Sequence, residues 1–246
     1  MALVTSSPLR AQPVIALDVP DLSSALALVD RLGPDADFVK VGLELFTAAG
    51  PAVVEAMHRQ GRRVFLDLKL HDIPTTVRGA ARSAAAMGVS LLTVHGYGGA
   101  AMVEAAVLGA AEGGAGHVAG GGTGILVVTV LTSHTAADLG VTLGRETPEV
   151  GAEVIRLAGV AQIAGAHGVV CSGHEVAAVR STYPALHPLV PGIRLSGGAA
   201  HDQARITTPE RAAADGAAYL VLGRAVTGAA DPAGVLRGIR ETLQGR

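Results

Sequence analysis

Eight short apolar runs, distributed along the whole 246-residue chain, constrain its fold more than any other feature. They are VIALDV (14–19), FVKVG (38–42), VFLDLKL (64–70), LLTVHG (91–96), ILVVTVL (125–131), GVVCS (168–172), HPLVPGI (187–193) and YLVLGR (219–224). The runs are β-branched and nearly all apolar, the pattern of parallel strands buried on both faces. Between most of them lie Ala-rich stretches with helical periodicity, such as DLSSALALVDRL (21–32) and TTVRGAARSAAAMG (75–88). The second follows Pro74, with Thr75 as a candidate cap. Eight strands alternating strictly with helices predict an α/β fold, a single closed (β/α)8 TIM barrel over residues 1–246. An open doubly wound sheet is the alternative, and it usually has fewer strands. No break in composition marks a second domain, and the Gly-rich AEGGAGHVAGGGTG (111–124) reads as the loop before the fifth strand.

Several function classes fall away on composition. The chain is 49% hydrophobic and 16% charged, enough for a large core. Its net charge of −2 and its 2% aromatic content, without Trp, do not suit a nucleic-acid partner or an anionic membrane surface. No apolar stretch is long enough to span a bilayer, and the N-terminus MALVTSSPLR does not read as a signal peptide, so the expected location is cytoplasmic. A lone cysteine, Cys171, sits in an apolar run and reads as a buried structural thiol, consistent with a reducing compartment. GAGHVA (114–119) imitates a dinucleotide fingerprint, but it precedes a strand where the true motif follows one. The nine histidines form no zinc-binding spacing, and no Walker-type phosphate loop is present.

The charged residues are more informative than the charge total. Of the 19 Lys and Arg residues only Lys40 and Lys69 are lysines, and both lie in strand-like runs. A compact, proton-donating ammonium is a role that Arg cannot take. In a barrel the active site lies at the C-terminal ends of the strands, and the polar groups collect there. Asp18 ends the first run, Lys40 lies late in the second, and Asp67 and Lys69 end the third. His95 ends the fourth and reads as a structural residue; Thr132 and Ser133 follow the fifth. Arg194 follows the seventh, and Arg224 closes the eighth.

Asp67 and Lys69 are two apart, so on a strand they share a face, while Asp72 lies past the strand end. Flanking carboxylates favour a charged ammonium, which is a poor Schiff-base nucleophile and a good proton donor to a carbanion. The far side reads as a phosphate site. Gly223 permits close backbone approach, Arg224 can grip an anion, and the long loop 195–210 carries Gly197 and Gly198 as hinges and Gln203 as a polar lid residue.

With these residues in place, the chain resembles the bacterial-type orotidine 5′-phosphate decarboxylases nearly end to end. The resemblance is carried by ALDV (16–19), FVKVGLELF (38–46), FLDLKLHDIPTTV (65–77), TVHG (93–96), VTVLTS (128–133), VPGIR (190–194), DQARITTPE (202–210) and YLVLGRAVT (219–227). It implies a homodimeric barrel that converts orotidine 5′-monophosphate to UMP and CO2, with neither metal nor organic cofactor. Carried over by position, Lys40, Asp67, Lys69 and Asp72 form an alternating charge network, with Asp72 and Thr76 entering the partner's site. Asp18 and Lys40 would hold ribose hydroxyls, and Ser133, next to Thr132, the pyrimidine. Gln203, Gly223 and Arg224 would hold the phosphate, with Arg194 nearby. Lys69 would protonate the C6 carbanion. Magnesium-dependent sugar-phosphate enzymes on a similar barrel share the Asp-x-Lys-x-x-Asp element but carry an acidic metal ligand where this chain has Lys40. A non-catalytic phosphometabolite sensor is the rival of a different class.

Overall fold

The apolar runs pair with one another in chain order and close into a ring. The computed structural model describes residues 11–114, 122–146, 148–195 and 207–244. The chain alternates β1 (Gln12–Ala16), α1 (Leu22–Leu32), β2 (Phe38–Gly42), α2 (Leu43–Ala49), α3 (Pro51–Arg59), β3 (Arg63–Leu70), α4 (Pro74–Ala86), β4 (Leu91–His95) and α5 (Gly99–Gly113). It continues with β5 (Gly124–Val128), α6 (Ala136–Leu143), α7 (Val150–Ile163), β6 (Gly168–Val170), α8 (Val176–Thr182), β7 (His187–Val190), α9 (Pro209–Ala214), β8 (Tyr219–Leu222), α10 (Arg224–Thr227) and α11 (Pro232–Leu243). Every neighbouring pair of strands is parallel, and β1 pairs with β8 to close the barrel, which removes the open-sheet alternative.

Period-two alternation sorts each strand into two cores. Val14, Ala16, Phe38, Phe65, Leu91, Leu126, Leu189 and Val221 pack together inside the ring. Their neighbours Ile15, Val39, Leu66, Leu92, Val127, Val190 and Leu222 point outward and join the helices. Burying one such side chain stabilises the fold by about 1.5–3 kcal/mol. The same alternation continues past the apolar layer. Two residues beyond Ala16, Phe38 and Phe65 come Asp18, Lys40 and Asp67, carried by the strands to the C-terminal mouth.

Three sequence expectations are corrected at element ends. Thr75 does not cap α4: Pro74 takes the first helical position, Ile73 is the cap residue, and no side chain completes it. Proline's preset φ and missing N–H start the helix unaided. The Gly-rich segment is loop only in part, because α5 runs through Gly113; residues 115–121 of that segment, with most of GAGHVA, lie outside the described residues. The fifth, sixth and seventh runs leave the barrel ladder at Val128, Val170 and Val190, earlier than their apolar character suggests.

Helices α4 and α5 approach closely because α5 presents glycine. A Cβ at Gly109 would come 2.1 Å from the Arg78 carbonyl oxygen, and one at Gly113 would come 2.0 Å from that of Arg82. The opposite end of the barrel from the charged mouth is closed by aromatic and imidazole rings. Phe38 meets Tyr219 edge-on, Arg63 stacks over Phe38, and His167 stacks on His187 with centroids 4.5 Å apart. No helix among the described residues is long and apolar enough to cross a membrane.

Candidate functional site

A cavity of about 310 Å³ opens at the C-terminal mouth, within the size range of small-ligand sites. Its floor is apolar: Ala16, Phe65, Val128, Val170, Leu189 and Val221 come from six different strands or their ends. Its polar lining contains Asp18, Lys40, Asp67, Lys69, Thr132, Ser133, Arg194, Gly223 and Arg224. Nine of the residues singled out from sequence are therefore gathered around one space.

On one wall the charges alternate in sign. Lys40 Nζ donates to Asp18 Oδ1 at 2.9 Å and lies 3.8 Å from Asp67 Oδ2. Lys69 Nζ donates to Asp67 Oδ1 at 2.8 Å. The order is Asp18, Lys40, Asp67, Lys69. Side-chain exposure rises outward from the middle: 10% for Lys40 and 14% for Asp67, against 33% for Lys69 and 64% for Asp18. The inner pair is tolerable only as a pair; removing one partner of a buried ion pair costs about 3–5 kcal/mol. Gly42 makes room for it, since a Cβ there would sit 2.9 Å from Lys40 Nζ.

Lys69 is held unusually. It is the one non-glycine residue with positive φ (50°) among the described residues. Leu66 pairs with Leu92, but Leu70 pairs with Val94. Asp67, Leu68 and Lys69 therefore stand opposite the single residue Thr93, and β3 bulges. Asp67 and Lys69 face one space, as their spacing predicts, but the strand between them is not regular. Their side chains do meet, but across a bulge with left-handed backbone at Lys69. Such a conformation costs about 1–3 kcal/mol and survives where its surroundings over-determine it. Thr93 is fully buried. Its hydroxyl accepts the Lys69 N–H and donates to Asp67 Oδ1, both at 2.9 Å.

Asp72 and Thr76 are not among the residues lining the cavity of their own chain. Both lie in an exposed stretch, 71–76, that follows β3 and enters α4. The Asp72 carboxylate accepts the Ile73 N–H at 2.6 Å, and the Ile73 side chain beside it is 64% exposed. Arg194, by contrast, is buried, with its guanidinium donating to the Ile193 carbonyl at 2.9 Å. A Cβ on Gly223 would meet nothing within 4 Å, so the backbone there faces open space. Gln203, and Gly197 and Gly198, which the sequence suggests as hinges, lie outside the described residues.

His95 is packed among rings beside the cavity wall. It is stacked between His71 and Tyr97, with ring centroids 5.5 and 5.4 Å away. Burial, reinforced by His71, Lys69 and His134, lowers its pKa to about 4, so the ring is neutral near pH 7. Its Nδ1 is buried without a hydrogen-bond partner. Cys171 is buried, as its apolar run implies.

Sequence reading missed Thr93 and the apolar floor. Thr93 left one signal: it is a polar residue inside LLTVH, on the strand next to the Asp-x-Lys pair. The floor residues left none, because inward and outward valines look alike in a strand buried on both sides.

The chain is similar to known proteins over nearly its whole length. The family model for the Orotidine 5'-phosphate decarboxylase / HUMPS family matches residues 11–239. A relative from Anaeromyxobacter dehalogenans named orotidine 5'-phosphate decarboxylase is 52% identical over 229 residues, covering 93% of this chain and 96% of its own. One of the same name from Moorella thermoacetica is 46% identical over 232 residues, covering 94% and 91%. The crystal structure of orotidine 5'-phosphate decarboxylase from Lactobacillus acidophilus superposes with a TM-score of 0.83 at 34% identity, covering 95% of this chain and 99% of its own.

Proposed function

The chain belongs to the orotidine 5'-phosphate decarboxylase / HUMPS family, and from that membership we propose that it decarboxylates orotidine 5′-monophosphate to UMP and CO2, with Lys69 as the proton donor. The observation that carries the reading is the Asp18–Lys40–Asp67–Lys69 chain on the wall of an otherwise apolar cavity. Loss of CO2 leaves an electron pair in the plane of the pyrimidine ring at C6, where resonance gives little relief. A fixed ammonium stabilises that developing charge and then supplies the proton that replaces the carboxylate. Lys69 is the more exposed of the two lysines on the cavity wall, and Asp67 holds its ammonium at one end. Asp67 also places a carboxylate where it can crowd that of the substrate.

The remaining lining residues suit the rest of a nucleotide. Asp18 and Lys40 offer an acceptor and a donor for ribose hydroxyls. Ser133, next to Thr132, offers a hydroxyl for the pyrimidine edge. Arg194, Gly223 and Arg224, at the ends of β7 and β8, form the phosphate side, with Gln203 assigned there from sequence. Binding energy gained at the phosphate then supports chemistry at the distant ring carbon. Asp72 and Thr76 act in trans in a homodimer. Their exposure beside Ile73, which is itself turned to solvent, supports that assignment. The expected setting is the cytoplasm, as a step of pyrimidine biosynthesis that needs no cofactor.

Lys40 separates this reading from the sugar-phosphate members of the family. Its ammonium lies between Asp18 and Asp67 and places a cation where those enzymes need an acidic metal ligand. The test follows the absorbance of orotidine 5′-monophosphate with purified protein in excess EDTA. Loss of the orotate chromophore with formation of UMP is the expected result. No turnover, together with a magnesium-dependent sugar-phosphate reaction, would refute it. UMP binding without either activity would leave the sensor alternative.

A further inference from the structure

We propose that Thr93 is a positioning residue for the reaction, holding Lys69 on its bulge and Asp67 beside it through one hydroxyl. The inference rests on the decarboxylase reading, because it assigns Thr93 a role through Lys69.

The argument begins with what a single hydroxyl can do. It has one proton to donate and lone pairs to accept with. Thr93 Oγ1 commits its proton to Asp67 Oδ1, the oxygen that also receives Lys69 Nζ. It takes the Lys69 backbone N–H as acceptor. That N–H belongs to a residue in left-handed backbone, at the point where β3 carries three residues against one of β4 and the regular ladder lapses. Thr93 thus replaces the missing ladder partner. It ties together the backbone that aims Lys69 and the carboxylate that holds the ammonium.

β-Branching adds to this. Threonine has restricted χ1 freedom in a strand, so the hydroxyl is held in place before substrate arrives. A valine there has nearly the same shape and packs as well, but it leaves a part-buried N–H and a carboxylate oxygen each without this partner. The strained turn at Lys69 then has less to hold it, and extended backbone would swing the ammonium away from its present position. A merely structural Thr93 would show itself differently. Its loss would lower stability and ligand binding together, without singling out the chemical step.

The experiment compares wild type, Thr93→Val and Thr93→Ser for turnover of orotidine 5′-monophosphate, with UMP affinity and melting temperature measured on the same preparations. The expected result for Thr93→Val is a fall in kcat of about 100-fold, the scale of a small misplacement of a reacting group. KM and UMP affinity should stay within about threefold, because uniform binding is untouched. Thr93→Ser, which retains the hydroxyl, should recover most of the loss. A Val variant with near-wild-type kcat overturns the proposal. So does a kcat loss matched by an equal loss of UMP affinity and not rescued by Ser. If Thr93→Val does not fold, Thr93→Ala takes its place in the same comparison. Wild-type protein without turnover would refute the decarboxylase reading instead. The structure of the Val variant would then test the local claim alone: retention of left-handed backbone at Lys69 would overturn it.

Discussion

Lowering the pH from 7.5 to 5.0 should destabilise this barrel through His167, and His167→Gln should remove that part of the loss. The ring lies at the end of the barrel opposite the cavity. It stacks on His187, its Nε2 is 3.0 Å from the Tyr219 hydroxyl, and its ring carbons pack against the bare backbone of Gly124. Burial is the main cause, and His187 beside it the second, of a pKa lowered from 6.5 to about 4. Arg63 also reaches this region, and Arg180 acts on His187.

The sign follows from proton binding. Between about pH 4 and 6.5 the unfolded chain protonates this imidazole and the folded chain does not. The stability is therefore fully present above the unfolded value and is lost as the pH falls from there toward the folded value. At pH 5.0 the unfolded imidazole is almost wholly protonated and the folded one only about one-tenth. At about 1.36 kcal/mol per pKa unit, the loss is about 2 kcal/mol. The assay is urea unfolding of wild type and His167→Gln at both pH values, at one fixed protein concentration because the stability of a dimer depends on it. Wild type should lose about 2 kcal/mol more than the variant between pH 7.5 and 5.0. Parallel losses, with the difference under about 0.5 kcal/mol, would refute the assignment of a neutral buried imidazole.

Two further substitutions test other parts of the argument. Lys69→Ala should abolish turnover while leaving UMP binding largely intact, and mixing it with Asp72→Asn should recover activity if each site is completed across a dimer. Verified heterodimers without activity would count against sharing. Gly113→Ala should destabilise the fold by about 1–3 kcal/mol, because its Cβ would press on the Arg82 carbonyl and force α4 and α5 apart; an unchanged urea midpoint would contradict the close packing.

The barrel was legible because its signal is repeated eight times. Each run needs only to be recognised as a buried strand, and errors at individual ends do not alter the alternation. The run 125–131 shows this: Val130 and Leu131 continue its apolar character after the strand has ended at Val128. Hydrophobicity reports burial, and the buried loops at a barrel mouth carry the same residues as the strands below them. Thr75 failed as a cap for a different reason. Two rules, threonine at the cap and proline in the first turn, compete at adjacent positions, and the covalent constraint of Pro74 prevails.

The charged wall was legible for the opposite reason, because its residues are conspicuous among apolar ones. Period two carries Asp18, Lys40 and Asp67 inward and upward from Ala16, Phe38 and Phe65, so spacing alone brings three charges to one rim. Spacing could not disclose how Lys69 is aimed. A regular strand and a bulged strand both bring residues 67 and 69 together, and only the register against β4, advancing from Leu92 to Val94 while β3 advances from Leu66 to Leu70, tells them apart. That register depends on a threonine 24 residues further along the chain. The left-handed turn at Lys69 and the hydroxyl of Thr93 are thus one feature divided between two strands. A reading of either strand alone finds a lysine near an aspartate or a polar residue in an apolar run, and neither explains why the ammonium stays where it is.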